Sequence, residues 1–183
     1  HGGTLDSTAS GLLIILVGAA TRLSNFIMEM PKLYETVACL GAETSTDDAS
    51  GEIISSNGRG TVSEKDIDLA LSSFMGWRMQ APPDVSAVHV DGRRAHELVR
   101  EGHDVHIEKK PVFFCSSART SDISDDGKVS LRINCRKGTY IRSFVRDMGQ
   151  LLGCGAYVSE LKRSSCGPFE LDNALDASLL EHI

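Results

Sequence analysis

One carboxylate and one glycine-led turn carry most of the chemistry this sequence can offer. Asp6 lies in His1-Gly2-Gly3-Thr4-Leu5-Asp6, directly before an apolar run. The paired glycines let the backbone approach a ligand closely or take positive φ. A carboxylate there, at the edge of a buried region, suits a catalytic group. It also suits a turn aspartate that makes an Asx bond or caps a helix, and local sequence alone favours that second reading. The other candidate is Lys137-Gly138-Thr139-Tyr140-Ile141-Arg142. Gly138 joins a strand at 128–136 to a helix from about residue 140, which places Tyr140 and Arg142 in the first helical turn. Free N–H groups gather polar ligands at such a start, and Arg142 can hold a carboxylate by a two-pronged bond. The same spacing also fits a Tyr140 packed on the sheet and a solvated Arg142.

Other reactive side chains point to blander roles. His96, His103 and His106 stand among Arg and Glu and read as a solvated surface, so no metal is expected. Gly153-Cys154-Gly155 follows a helix and lacks a third glycine, so it is no dinucleotide loop. The five cysteines show no C-x-x-C and no zinc spacing, and read as buried thiols rather than a disulfide framework.

The elements that must position these groups follow from periodicity. Gly11 to Gly18 encloses six apolar residues and predicts a buried strand. A helix is expected over 19–30, a short strand over 33–40, and a loop from Thr44 to Gly51. Ser63 and Asp66 mark a helix start, and Ile67, Ala70, Leu71 and Phe74 continue it at helical spacing over 63–75. Ala81-Pro82-Pro83 opens an extended connection, and 94–101 reads as a short helix ending at Gly102. Val129, Leu131, Ile133 and Cys135 alternate with polar residues, which predicts a strand paired with another at 111–120 through Asp125-Asp126-Gly127. Ile141, Phe144, Val145, Met148, Leu151 and Leu152 form a helical stripe ending at Gly153. This order predicts an α+β fold with a largely antiparallel sheet.

A chain of 183 residues suits one domain with a substantial core. No apolar run reaches membrane-spanning length and no signal peptide is evident. The net charge of −6 argues against nucleic acid, but its distribution does not. Residues 29–68 hold nine acids against three bases, whereas 128–168 hold eight bases against two acids. A basic face suited to phosphate contacts is one reading of this, and a solvated sheet face is the other.

Taken in order, several segments resemble the TruB family of pseudouridine synthases. His1-Gly2-Gly3-Thr4-Leu5-Asp6-Ser7-Thr8-Ala9-Ser10-Gly11 is similar to its catalytic aspartate motif, and Lys32-Leu33-Tyr34 to its K-x-Y strand. Thr44 to Gly51 matches T-x-T-x-D-x-x-G. Pro82-Pro83 to Ser86-Ala87, with Gly92 and Arg100-Glu101-Gly102, resembles its P-P-x-x-S-A insertion. Lys137 to Arg142 matches K-G-T-Y-I-R, and Gly153 to Arg163 matches G-x-G-A…L-x-R. The chain departs at Gly2, where the family usually has Thr or Ser, at Ser7 for Pro, and at His89 for a frequent Lys.

The resemblance implies a mixed, mainly antiparallel sheet flanked by helices, with a cleft across it. It implies isomerisation of uridine 55 in the T loop of tRNA, without metal or cofactor, by a cytoplasmic and monomeric enzyme. Asp6 would be the essential residue, as nucleophile or base. Tyr34 would line the uracil pocket and help the proton step, Tyr140 would contact the base, and Arg142 would pair with Asp6. Leu161 would close the pocket, His1 would help hold the target loop with its nucleotide flipped out, and Asp48 would support the active-site loop. Arg22, Lys162 and Arg163 would meet phosphates. The family's N-terminal lysine–proline–glycine segment and the following small RNA-binding domain lie outside 1–183, which reads as the catalytic domain of a longer protein. Two alternatives stay open: a guide-RNA-dependent synthase of a ribonucleoprotein, and a non-catalytic tRNA-binding and folding module.

Overall fold

The structure, a computed structural model, describes residues 1–86, 89–90, 93–94 and 107–178. Its elements are β1 (Ala9–Gly11), a 3-10 turn (Gly18–Leu23), α1 (Ser24–Glu29), β2 (Lys32–Leu40), β3 (Ala42–Thr44), β4 (Ile53–Ser56), α2 (Glu64–Ser73) and β5 (Gly76–Gln80). They continue as β6 (His89–Val90), β7 (Arg93–Arg94), β8 (Lys110–Arg119), β9 (Lys128–Cys135), α3 (Ile141–Leu151), β10 (Ala156–Cys166), β11 (Phe169–Glu170) and a closing 3-10 turn (Leu171–Asn173). A sheet in the order β1-β10-β2-β9-β8-β5, with β11 also on β10, organises them. β1 runs parallel to β10, and the other pairings in this sheet are antiparallel. The α+β, mainly antiparallel architecture is the one expected from the sequence.

Local chemistry explains the regular parts. β9 buries Val129, Leu131, Ile133 and Cys135 and leaves Lys128 and Arg132 exposed, as its period of two requires. α2 starts at a capping box, in which the Ser63 side chain and the Asp66 side chain each bond the other's backbone N–H. α3 buries Ile141, Phe144, Val145 and Met148 against the sheet. Phe144 packs on Phe74 and Phe114, with ring centroids 4.9 and 4.8 Å apart. Each such side chain contributes about 1.5–3 kcal/mol by leaving water. This face of the sheet is also the face on which the candidate site lies.

Three expectations change. The apolar run after Gly11 is not a buried strand: Leu12 is buried, but Leu13, Ile15 and Val17 are 44, 57 and 79% exposed. β1 ends at Gly11, whose φ of 106° and tight fit against the Arg163 backbone admit no side chain. The chain then leaves the ladder, so only alternate residues find cover. The expected helix at 19–30 begins as a 3-10 turn. β10 has no counterpart in the sequence reading because two bulges interrupt its alternation, between Val158 and Glu160 and between Arg163 and Ser165. The helix expected at 94–101 lies outside the described residues, except Arg94 in β7, as do Ala87, Gly92 and Arg100-Glu101-Gly102. Among the described residues, no helix is long and apolar enough to cross a membrane.

Candidate active site

The loop that leads into β1, together with β2, β10 and the start of α3, converges on one cavity. It has a volume of about 320 Å³, and Gly3, Asp6, Tyr34, Tyr140, Leu161 and Arg163 are among its walls. Arg163 faces Tyr34 in the β10–β2 register, and Leu161 is two residues away on the same face. Sequence distance is therefore no guide here, since the sheet brings together residues from both ends of the chain.

Asp6 and Arg142 form the ion pair expected of them. Arg142 Nε donates to Asp6 Oδ2 at 2.8 Å, with Arg142 buried and the Asp6 side chain 35% exposed toward the cavity. The other guanidinium nitrogens are also used. Nη1 donates to the Thr46 carbonyl at 2.9 Å, and Nη1 and Nη2 both reach the Val85 carbonyl at 3.2 Å. Asp48 Oδ2 lies 3.7 Å from Nη1. Arg142 thus ties the Asp6 loop, the 45–51 loop and the connection after β5 to α3. The fork geometry of a guanidinium makes this possible.

Tyr140 is the residue before the helix, extended at φ −104° and ψ 116°. Its backbone is clasped by Gln80, which accepts from Tyr140 N at 2.9 Å and donates to its carbonyl at 3.0 Å. The sequence reading missed Gln80, because nothing in the sequence marks a lone glutamine at a strand end as a partner of a residue sixty positions away. Burial pushes the phenols of Tyr34 and Tyr140 above their ordinary range, and the Asp6 charge adds to both. Both stay neutral donors near pH 7.

Asp48 does not line the cavity; it holds the loop beneath Arg142. Its carboxylate accepts from Thr46 Oγ1 at 2.7 Å, Ser50 N at 2.9 Å, Ser50 Oγ at 2.5 Å and Thr8 Oγ1 at 3.3 Å. Desolvation pushes its pKa up, but the bonds from Ser50 and Thr46, with the Arg142 charge, outweigh it and hold the group below its usual value. A depressed folded pKa gives stability that is full above the unfolded pKa and lost as the pH falls through the folded one. Asp48→Asn is expected to cost about 1.5–3 kcal/mol at pH 7. The gap to the parent protein should narrow as the pH falls through and below the ordinary carboxylate range. Urea unfolding of both proteins across that range tests this; a gap that is constant with pH rules it out.

Neighbouring Asp47 is the described non-glycine residue with positive φ, 60°. Arg146 Nη1 pairs with it at 2.9 Å. Lys32, from the K-x-Y segment, is buried and donates to the carbonyls of Ile27, Met28 and Met30, so it closes α1. Gly2 packs on α1 as well: a Cβ there would sit 2.4 Å from Ile27 Cγ2. Gly2→Ser should therefore cost about 1–3 kcal/mol by overpacking. A lowered urea midpoint with unchanged slope is the expected signature, whereas an unchanged midpoint would mean that Ile27 yields freely.

Of the three expected phosphate contacts, that of Arg163 needs correction. Arg163 is 3% exposed and spends its guanidinium on the carbonyls of Leu12 (2.7 Å), Gly3 (3.1 Å) and Thr4 (3.4 Å). It shapes the Asp6 loop and cannot meet a phosphate. Lys162 is exposed, but alternation turns it to the other sheet face, beside Glu35 and Arg132. His1 and Arg22 are exposed and do not line the cavity. The basic segment 128–168 is likewise not a basic face. Arg142, Arg146 and Arg163 turn inward, while Arg132, Lys137 and Lys128 pair with Glu35, Glu29 and Asp126. Cys115 is exposed, against the expectation of buried thiols; Cys39, Cys135 and Cys166 are buried.

The fold has relatives of known structure. The chain aligns with the "Crystal Structure of a Cbf5-Nop10-Gar1 Complex" at TM-score 0.67 and 28% identity, over 93% of this chain and 40% of the other. It aligns with the "archaeal box H/ACA sRNP Nop10-Cbf5 complex" at TM-score 0.64 and 25% identity, over 96% and 41%. The class is thus the α+β pseudouridine synthase fold. The description "TruB family pseudouridylate synthase (N terminal domain)" matches residues 1–141, and "tRNA pseudouridylate synthase B C-terminal domain" matches 142–183. The chain belongs to the TruB family. It is 38% identical over 183 residues to "tRNA pseudouridine synthase B" of Cereibacter sphaeroides, covering 100% of this chain and 60% of that protein. It is 41% identical over 181 residues to the protein of the same name from Ruegeria pomeroyi, covering 99% and 59%. The chain therefore spans about three-fifths of the length of these curated relatives.

Proposed function

We propose that residues 1–183 act as the catalytic unit of a tRNA pseudouridine synthase that isomerises uridine 55 of the T loop. The observation that carries this reading is the Asp6–Arg142 pair at 2.8 Å, with the carboxylate opening into a cavity walled by Tyr34, Tyr140 and Leu161. The reaction breaks N1–C1′, turns the uracil and joins C5 to C1′; the C5 proton leaves and N1 gains one. Asp6 acts as nucleophile or as base on the sugar. Arg142 fixes the direction of that carboxylate through the bond from its Nε. A stacked uridine cannot reach such a cavity, so the nucleotide must flip out, and Tyr34 and Tyr140 then hold the base. The neutral phenols can pass or receive the exchanged proton.

The same reading takes the protein as a cytoplasmic monomer that needs no cofactor. Identity of 38–41% across the whole chain to proteins named for tRNA favours tRNA over a guide-RNA substrate. The test is incubation with an unmodified tRNA transcript, followed by position-resolved mapping of pseudouridine. Product at the T-loop uridine is expected; modification only in the presence of a guide RNA would overturn the assignment.

A further inference from the structure

We propose that the corner formed by exposed Trp77 and Met79 with half-buried Phe113, and with Arg136 at its rim, stacks an unpaired base of the RNA whose uridine enters the Asp6 cavity. β5 is the edge strand of the sheet. One face of it is conventional: Gln80 clasps Tyr140, and Arg78 lies over the Phe74 ring at 4.3 Å. The other face presents Trp77 opposite Phe113 and Met79 opposite Pro111. Trp77 is 68% and Met79 59% exposed. Such large apolar side chains on an edge strand are a liability unless something covers them.

Two observations identify the occupant. The first is charge and shape. The Trp77 and Phe113 rings meet edge-on, with centroids 5.3 Å apart at 69°. That contact orients the indole, and its exposure leaves π surface open. The Arg136 guanidinium stands 5.1 Å from the Phe113 centroid. Lys109 and Lys110 are exposed at the start of β8, with Glu108 as the neighbouring acid. Aromatic faces interleaved with cations are what a single-stranded nucleic acid recognises: bases stack and phosphates pair.

The second is continuity. Arg136 also lines the Asp6 cavity, and Gln80, the last residue of β5, fixes the Tyr140 wall of that cavity. The corner lies on the sheet face opposite α3, and Arg136, just past the end of β9, borders both it and the cavity. The inference rests on the RNA reading of the cavity, and one experiment separates the two.

Trp77 is the only tryptophan of the chain, so indole fluorescence reports on this position alone. The 183-residue chain is titrated with an unmodified tRNA transcript carrying a dye, whose anisotropy measures binding independently. Quenching of Trp77 is expected to follow binding with the same midpoint, in the parent chain and in Asp6→Asn alike. Trp77→Ala should weaken affinity about tenfold, a typical loss for a stacking aromatic, and Trp77→Phe should recover most of it. Binding without quenching, together with an unaffected Trp77→Ala, overturns the platform and leaves the cavity reading intact. Absence of binding overturns both. Self-association that Trp77→Ala abolishes, with RNA affinity unchanged, makes the corner a protein interface and likewise overturns the proposal.

Discussion

Asp6→Asn is expected to lower pseudouridine formation by on the order of 10³-fold or more, while tRNA affinity stays within a few-fold. The two side chains have nearly the same shape. The amide oxygen of Asn can still accept from Arg142 Nε, and Arg142 keeps its bonds to Thr46, Val85 and Asp48. The loop should therefore hold, and stability should change little. What disappears is the charge and the basic, nucleophilic oxygen facing the cavity. Affinity draws on contacts spread over a much larger surface than one carboxylate. Single-turnover assays with mapped product measure the first effect, and titration of labelled tRNA measures the second. Normal turnover by Asp6→Asn would remove Asp6 from the reaction. Joint loss of turnover and binding would assign it a structural role.

The second large effect is expected from Arg142→Lys, in stability as well as turnover. Arg142 is buried and joins three chain segments to α3 through five contacts. An ammonium offers three donors from one point and cannot reproduce a planar fork that reaches Asp6 on one side and two carbonyls on the other. Disrupting a buried, hydrogen-bonded ion pair costs about 3–5 kcal/mol when one partner is lost; Lys keeps the charge, so a loss of about 2–3 kcal/mol is expected. Urea unfolding should show a lower midpoint, and turnover should fall further than tRNA affinity because the direction of the Asp6 carboxylate is no longer set. An unchanged unfolding midpoint would contradict the tethering role, and unchanged turnover would contradict the orienting role.

Much of this organisation was legible in the residues. Strict alternation marks β9 because each of its faces has one environment, and the stripe from Ile141 to Met148 marks α3 for the same reason at helical period. The capping pair Ser63 and Asp66 marks the start of α2, since that chemistry is local. The ordered motifs, read as a resemblance, named Asp6, Tyr34, Tyr140 and Arg142. Composition and spacing alone favoured Asp6 as a turn residue over a catalytic one.

Tertiary structure decided where the side chains point and what they spend their bonds on. Arg163 and Lys162 are adjacent cations in the sequence, yet β10 sends one into the Asp6 loop and the other to the far face of the sheet. The apparent basic segment vanished for this reason: charge summed along a chain ignores which residues turn inward to satisfy buried carbonyls and carboxylates. β10 escaped notice because its two bulges break the period that sequence reading relies on. Gln80, Asp47 and Arg146 gained roles only from contacts across 60 and 99 positions. Local patterns encode local structure, because neighbours along the chain share one backbone geometry. The site is a meeting of distant strands, and its roles were set by the register that packing imposed.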